Sequence, residues 1–168
     1  ELLGREYVTN NYGKCFIIDY RSYHDVTVMS YDPIYVTKVE IGNLEKGNVK
    51  NPLFPTYLGK GYFGIGKYGG VKQKPLYELW TGIIDRAYNE ERMLKAPTYS
   101  DVTVCKEWLC FQNFAAWCEG QEFFKARDDK GKPYHLDKDT LSSGDKIYSP
   151  ETCCFVPRAI NNLFTKRG

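Results

Sequence analysis

In the first 50 residues, apolar and polar positions alternate with a period of about two, the repeat of a half-buried strand. "KCFIIDY" (14–20), "VTVMSY" (26–31) and "YVTKVEI" (35–41) are rich in β-branched and aromatic residues, and "SYHD" and "YDP" supply turn formers between them. Three strands of a meander are only marginally stable alone, so they must pack on something further along the chain. The period then changes. Leu76, Leu79, Trp80, Ile83, Ile84 and Ala87 recur at helical spacing and predict a helix over 74–89, with Pro75 tolerated in its first turn. "PTYSDVTV" (97–104) predicts a short extended segment. A second helix is predicted over 106–120, with Trp108, Phe111, Phe114 and Trp117 as a core stripe and Gly120 as its stop.

Between these regions lies "GKGYFGIGKYGGVKQKP" (59–75), whose glycines permit tight turns and close backbone approach. The segment "GIGKYGG" (64–70) contains G-x-G-x-x-G, but no apolar strand precedes it as a dinucleotide site requires. A structural turn, or a loop lying on a DNA backbone, fits better. The chain therefore divides into a β-rich part (1–58), a Gly/Lys-rich connector (59–75) and a helical part that continues to the end (76–168).

Composition narrows the class. With 168 residues, 42% hydrophobic and 26% charged, the chain suits one ordinary folded domain or two very small ones. No apolar run approaches the roughly 20 residues of a membrane span, and no signal-peptide pattern opens the sequence, so a cytoplasmic protein is expected. The formal charge is only +2, yet residues 36–75 hold seven lysines against Glu40 and Glu45, a local net of +5. Lys60, Lys67, Lys72 and Lys74 are the candidates for phosphate contacts, although such lysines also make ordinary solvated faces. The six cysteines (15, 105, 110, 118, 153 and 154) include no C-x-x-C pair. Their spacing matches no recognised zinc pattern, which favours buried free thiols over structural zinc.

The richest chemistry lies in "PYHLDKDTLSSGDKIYSPETCCFVPRAINNLF" (133–164). "PYHLDKD" reads as a strand, "SSGDK" as a turn region, "CCFVP" as a second strand and "RAINNLF" as the start of a helix. Strand, loop, strand and helix, with His and Asp on the first strand, is the outline of a ββα-metal nuclease finger. Together with "GNLEKGNVKNP", "YELWTGIIDRAYN", "VCKEWLCFQNFAAW" and "YSPETC", this segment resembles the phage-encoded, homing-endonuclease-like proteins of the HNH type, which often carry an AP2-like DNA-binding part. The resemblance extends over most of the chain.

That resemblance implies an α+β fold with an N-terminal antiparallel β meander, helices and a C-terminal ββα-metal-like finger. It further implies a hydrolase acting on double-stranded DNA with a divalent metal, Mg²⁺ or Mn²⁺. "HLDKD" looks like the family's D-H-I-D-G segment, which puts His135 at the general base and Asp137 at the structural aspartate beside it. "YSPETCCFVPRAIN" resembles N-P-x-N-L-x-W-V-T-x-x-E-N, aligning Asn161 with the helix residue that often binds metal. Asn162 is its neighbour. The position before the histidine, acidic in that family, is Tyr134 here, so the cation would rely on Asp137 or Asp139, with Asn161. The alternative function is a DNA-binding regulator or anti-defence protein derived from such a nuclease but without catalysis. The small net charge gives only modest non-specific affinity, and a homodimer is one way to raise it.

Overall fold

Alternation at the start of the chain becomes four antiparallel strands rather than three. The structure is a computed structural model that describes residues 2–69, 73–95, 101–141 and 144–165. The chain divides into two compact units, residues 1–65 and 66–168. The boundary falls inside the Gly/Lys-rich stretch 59–75, which is thus shared between the units.

In the first unit, β1 (Glu6–Val8), β2 (Lys14–Ser22), β3 (Asp25–Tyr31) and β4 (Ile34–Val39) form one sheet in sequential order. Cys15 and Ile17 on β2 and Val26 and Val28 on β3 point to one face. There Ile41 and Leu44 of the short helix α1 (Ile41–Glu45), with Val49, complete a core. The register pairs Ile17 with Val28 and Asp19 with Thr27, so Ile18 is a bulge residue that shifts the alternation partway along β2. On the opposite face Phe16 and Tyr31 place their ring centroids 4.4 Å apart. Val8, Ile34 and Val36 stay exposed. Sequence periodicity misses β1, because three residues are too short to show a period.

In the second unit, α2 (Lys74–Tyr88) forms almost where its periodicity predicts it, with Pro75 in the first turn. Leu76, Trp80, Ile83, Ile84 and Ala87 are buried, while Leu79 is only half-buried at the edge of the stripe. A short α3 (Glu90–Lys95) follows. The segment predicted as one helix over 106–120 is two elements, a 3₁₀ turn at Lys106–Leu109 and α4 (Phe111–Gly120). Cys110 separates them with extended backbone (φ −87°, ψ 119°), and its carbonyl accepts the Phe114 N–H that begins α4. The break lets Trp108 stay buried and offers its carbonyl to Trp80 Nε1 at 2.7 Å. α2 packs against α4 and against β5 (Thr103–Val104). Gly120 ends α4 as expected.

The remaining strands are short. β5 pairs in parallel with β7 (Ile147–Tyr148), and β6 (His135–Asp137) pairs antiparallel with β8 (Cys154–Val156). α5 (Arg158–Thr165) follows β8 directly. The molecule is thus α+β. Among the described residues no helix is long and apolar enough to cross a membrane.

Candidate functional site

The C-terminal segment folds in the order strand, long connection, strand, helix. His135 stands opposite Val156, Leu136 opposite Phe155, and Asp137 opposite Cys154. Buried Leu136 and Phe155 fasten this ladder to the unit's core. The Phe155 ring stacks on Trp117 of α4 at 5.8 Å between centroids and meets Phe124 at 5.3 Å. Trp117 and Phe124 thus both hold the ring that the second strand contributes. At Pro157 the chain leaves β8, and its carbonyl accepts the Ile160 and Asn161 amides of the first turn of α5. α5 then lies against β6.

His135 is exposed, and among the described residues its ring makes no hydrogen bond. Asp137 is buried, and its Oδ2 accepts the Thr140 N–H at 2.7 Å, an Asx-type turn that ends the strand. The strand stops there rather than at residue 139, so Asp137 and Asp139 do not share a strand face as alternation through "HLDKD" predicts. Asn161 is half-buried on α5 and Asn162 is exposed.

Between the two aspartates stands a residue that sequence reasoning passed over. Lys138 keeps only 11% of its side chain exposed. Its Nζ donates to Asp139 Oδ1 at 2.7 Å and to the Asp145 carbonyl at 2.6 Å. Gly144, with φ +98°, supplies the left-handed bend just before that carbonyl. Tyr148 on β7 is buried, and burial pushes its phenol up, against the pull of nearby Arg86 and Lys138. The available signal was a lysine flanked on both sides by aspartates.

A divalent cation at Asp137, Asp139 and Asn161 has to be weighed against these bonds. One oxygen of Asp137 is committed to an amide, and Asp139 already carries an ammonium at hydrogen-bonding distance. Among the described residues no three His, Cys, Asp or Glu side chains are grouped to hold a metal. For this set to hold a divalent ion, Asp139 would have to exchange its ammonium partner for the ion and Asp137 would bind through its second oxygen.

The six cysteines are free thiols, with Cys15, Cys110, Cys118 and Cys153 buried and Cys105 and Cys154 half-buried.

The basic candidates divide between the units. Lys60 lies in the first, in the turn closed by the Tyr57–Gly61 bridge, and is exposed. Lys67 and Lys74 lie in the second, and Lys72 falls outside the described residues. The Lys67 ammonium sits 5.0 Å from the centroid of the Tyr68 ring and 3.5 Å from Glu119 Oε2. Tyr68 and then Glu119 hold its pKa above the ordinary lysine value. Lys74 pairs loosely with Glu78 at 3.7 Å. The backbone of Tyr68, next to Lys67, is fixed by a buried amide, Gln112 on α4, which binds Tyr68 N and O together.

No protein-family model, curated protein or solved structure matches this chain.

Proposed function

We propose that this protein is a DNA-directed protein built on a nuclease-type ββα unit, which meets the phosphate backbone and presents His135 to a phosphodiester. The observation that carries this reading is the antiparallel pair β6 and β8, joined by a connection that contains β7, followed by α5, with an exposed histidine on the first strand. An exposed imidazole at a strand start can take the proton of an attacking water. Asp137, two residues on, supports it by fixing the end of β6 through the Thr140 amide. Lys60 and Lys74, with Lys67 and Lys72, supply the charge for phosphate contacts. A pair of copies would double that charge where one copy offers only a formal +2.

A second reading is DNA binding without cleavage, as a regulator or anti-defence protein. The ammonium of Lys138 on Asp139 favours it, because that carboxylate then faces a lysine in place of a catalytic cation. Incubating the protein with supercoiled plasmid in Mg²⁺, Mn²⁺ or EDTA, beside His135→Ala, separates the two. Nicking that His135→Ala abolishes supports hydrolysis. Salt-sensitive binding without nicking supports the second reading, and loss of both binding and nicking sinks the DNA assignment altogether.

A further inference from the structure

We infer that the Lys138 ammonium is the resident cation of the β6–β7 connection, joining the Asp139 carboxylate to the Asp145 carbonyl so that the ββα unit keeps its shape without metal. The inference rests on the ββα reading for its location, and it needs no DNA. Two oxygens converge on Nζ at 2.6 and 2.7 Å, the short range of charge-assisted hydrogen bonds. Both come from segments that the chain must bring back together, one just after β6 and one just before β7. The left-handed Gly144 precedes the second of them.

A hard divalent ion would need the same oxygens. Mg²⁺ draws its ligands to about 2.0–2.1 Å and demands near-octahedral geometry, which an ammonium in the same place forbids by both volume and charge. Asp137 has only Oδ1 left to offer, since its Oδ2 holds the Thr140 amide at 2.7 Å. Lys138 is also well shielded, so its charge acts where screening by salt is weak. In this arrangement Lys138 is a positioning residue that shapes the segment behind His135.

The test combines amide hydrogen exchange with Mn²⁺ electron paramagnetic resonance on the whole chain, without DNA. Wild-type protein should leave the free Mn²⁺ signal unchanged, and protection of its Thr140 amide, bonded to Asp137 Oδ2, and of its Thr103 amide, bonded to the Lys146 carbonyl, should be the same in EDTA and in Mn²⁺. Lys138→Met should speed exchange at the Thr140 and Thr103 amides roughly tenfold, because the connection that holds their acceptors loses two hydrogen bonds to a charged group. Lys138→Arg should restore most of the protection, a rescue that simple loss of side-chain packing would not give. Stoichiometric Mn²⁺ uptake by wild type overturns the inference, and so does Lys138→Met with unchanged protection. Failure of the DNA reading appears separately, as absent DNA binding, and leaves these exchange rates untouched.

Discussion

Gln112 holds the backbone of Tyr68 from both sides, donating from Nε2 to the Tyr68 carbonyl at 2.8 Å and accepting the Tyr68 N–H on Oε1 at 2.9 Å. The amide side chain thus does what a neighbouring strand would do, and it does so in a buried place. Gly66 belongs to the same arrangement, since a Cβ there would run into Gln112 Oε1. Gln112→Leu keeps the volume but strands a buried donor and a buried acceptor. Each stranded group costs about 1–3 kcal/mol, so the urea midpoint should fall well below that of wild type. Gly66→Ala should move it the same way by pushing the amide aside. A Gln112→Leu protein as stable as wild type would mean that the clamp opens to water without penalty.

The surroundings of Lys67 lead to an ordering among the basic residues. Its ammonium is shared between Glu119 and the Tyr68 ring, and Glu119 is further engaged by the Tyr68 hydroxyl at 2.8 Å. Among the described residues Lys74 has an exposed pair with Glu78, a kind of contact that contributes little. If the proposed DNA contact runs through these residues, Lys74→Ala should lower the slope of log K against log salt by about 1. Lys67→Ala should lower it less. Fluorescence anisotropy with a labelled duplex at several salt concentrations reads this directly, and equal slopes for the Lys67→Ala and Lys74→Ala variants contradict the ordering.

Much of this fold is legible where one periodicity runs long enough. Cys15, Ile17, Val26 and Val28 announce a sheet face, and Leu76, Trp80, Ile83 and Ile84 announce a helix stripe, because burial selects those positions directly. The break at Cys110 is not legible, since Trp108, Phe111, Phe114 and Trp117 keep helical spacing across it. There the buried bond from Trp80 to the Trp108 carbonyl outweighs local helix preference. The C-terminal unit shows the same limit more sharply. "HLDKD" reads as five alternating residues, but the Asp137 carboxylate captures the Thr140 amide and ends the strand early. Lys138 then turns inward onto Asp139 and the Asp145 carbonyl. A pattern of alternation cannot foresee a side chain that competes for the backbone.

Two buried thiols make stability depend on alkaline pH. Burial pushes both Cys118 and Cys153 up, Cys153 from its ordinary 9.0 to about 11. The folded state therefore keeps protons that the unfolded chain releases as pH rises above the ordinary thiol value. Stability is fully present below that value and falls between it and the folded value, by up to about 1.4 kcal/mol per pH unit for each thiol. Urea midpoints measured from neutral pH upward should decline more steeply in wild type than in Cys153→Ala. Alkylation under native conditions should reach the half-buried Cys105 and Cys154 before Cys118 and Cys153. A wild-type midpoint that is flat with pH contradicts the linkage.

Thr152 ties the "YSPETC" turn together through one oxygen. Its Oγ1 donates to the Ile147 carbonyl at 2.6 Å and accepts the Ser149 N–H at 3.1 Å, in a residue that is itself buried. These bonds hold β7 where it pairs with β5, a pairing in which the Tyr148 carbonyl accepts the Cys105 N–H at 2.9 Å. Thr152→Val preserves shape but leaves Ile147 O and Ser149 N without this partner, so a loss of about 1–3 kcal/mol is expected. Exchange at the Cys105 amide should quicken in the same variant, because the strand that protects it loosens. Thr152→Ser keeps the oxygen and should retain most of the stability. If Thr152→Val melts with wild type and leaves Cys105 protected, then burial of Tyr148 and the pairing with β5 fix β7 unaided, and the turn is only a passenger.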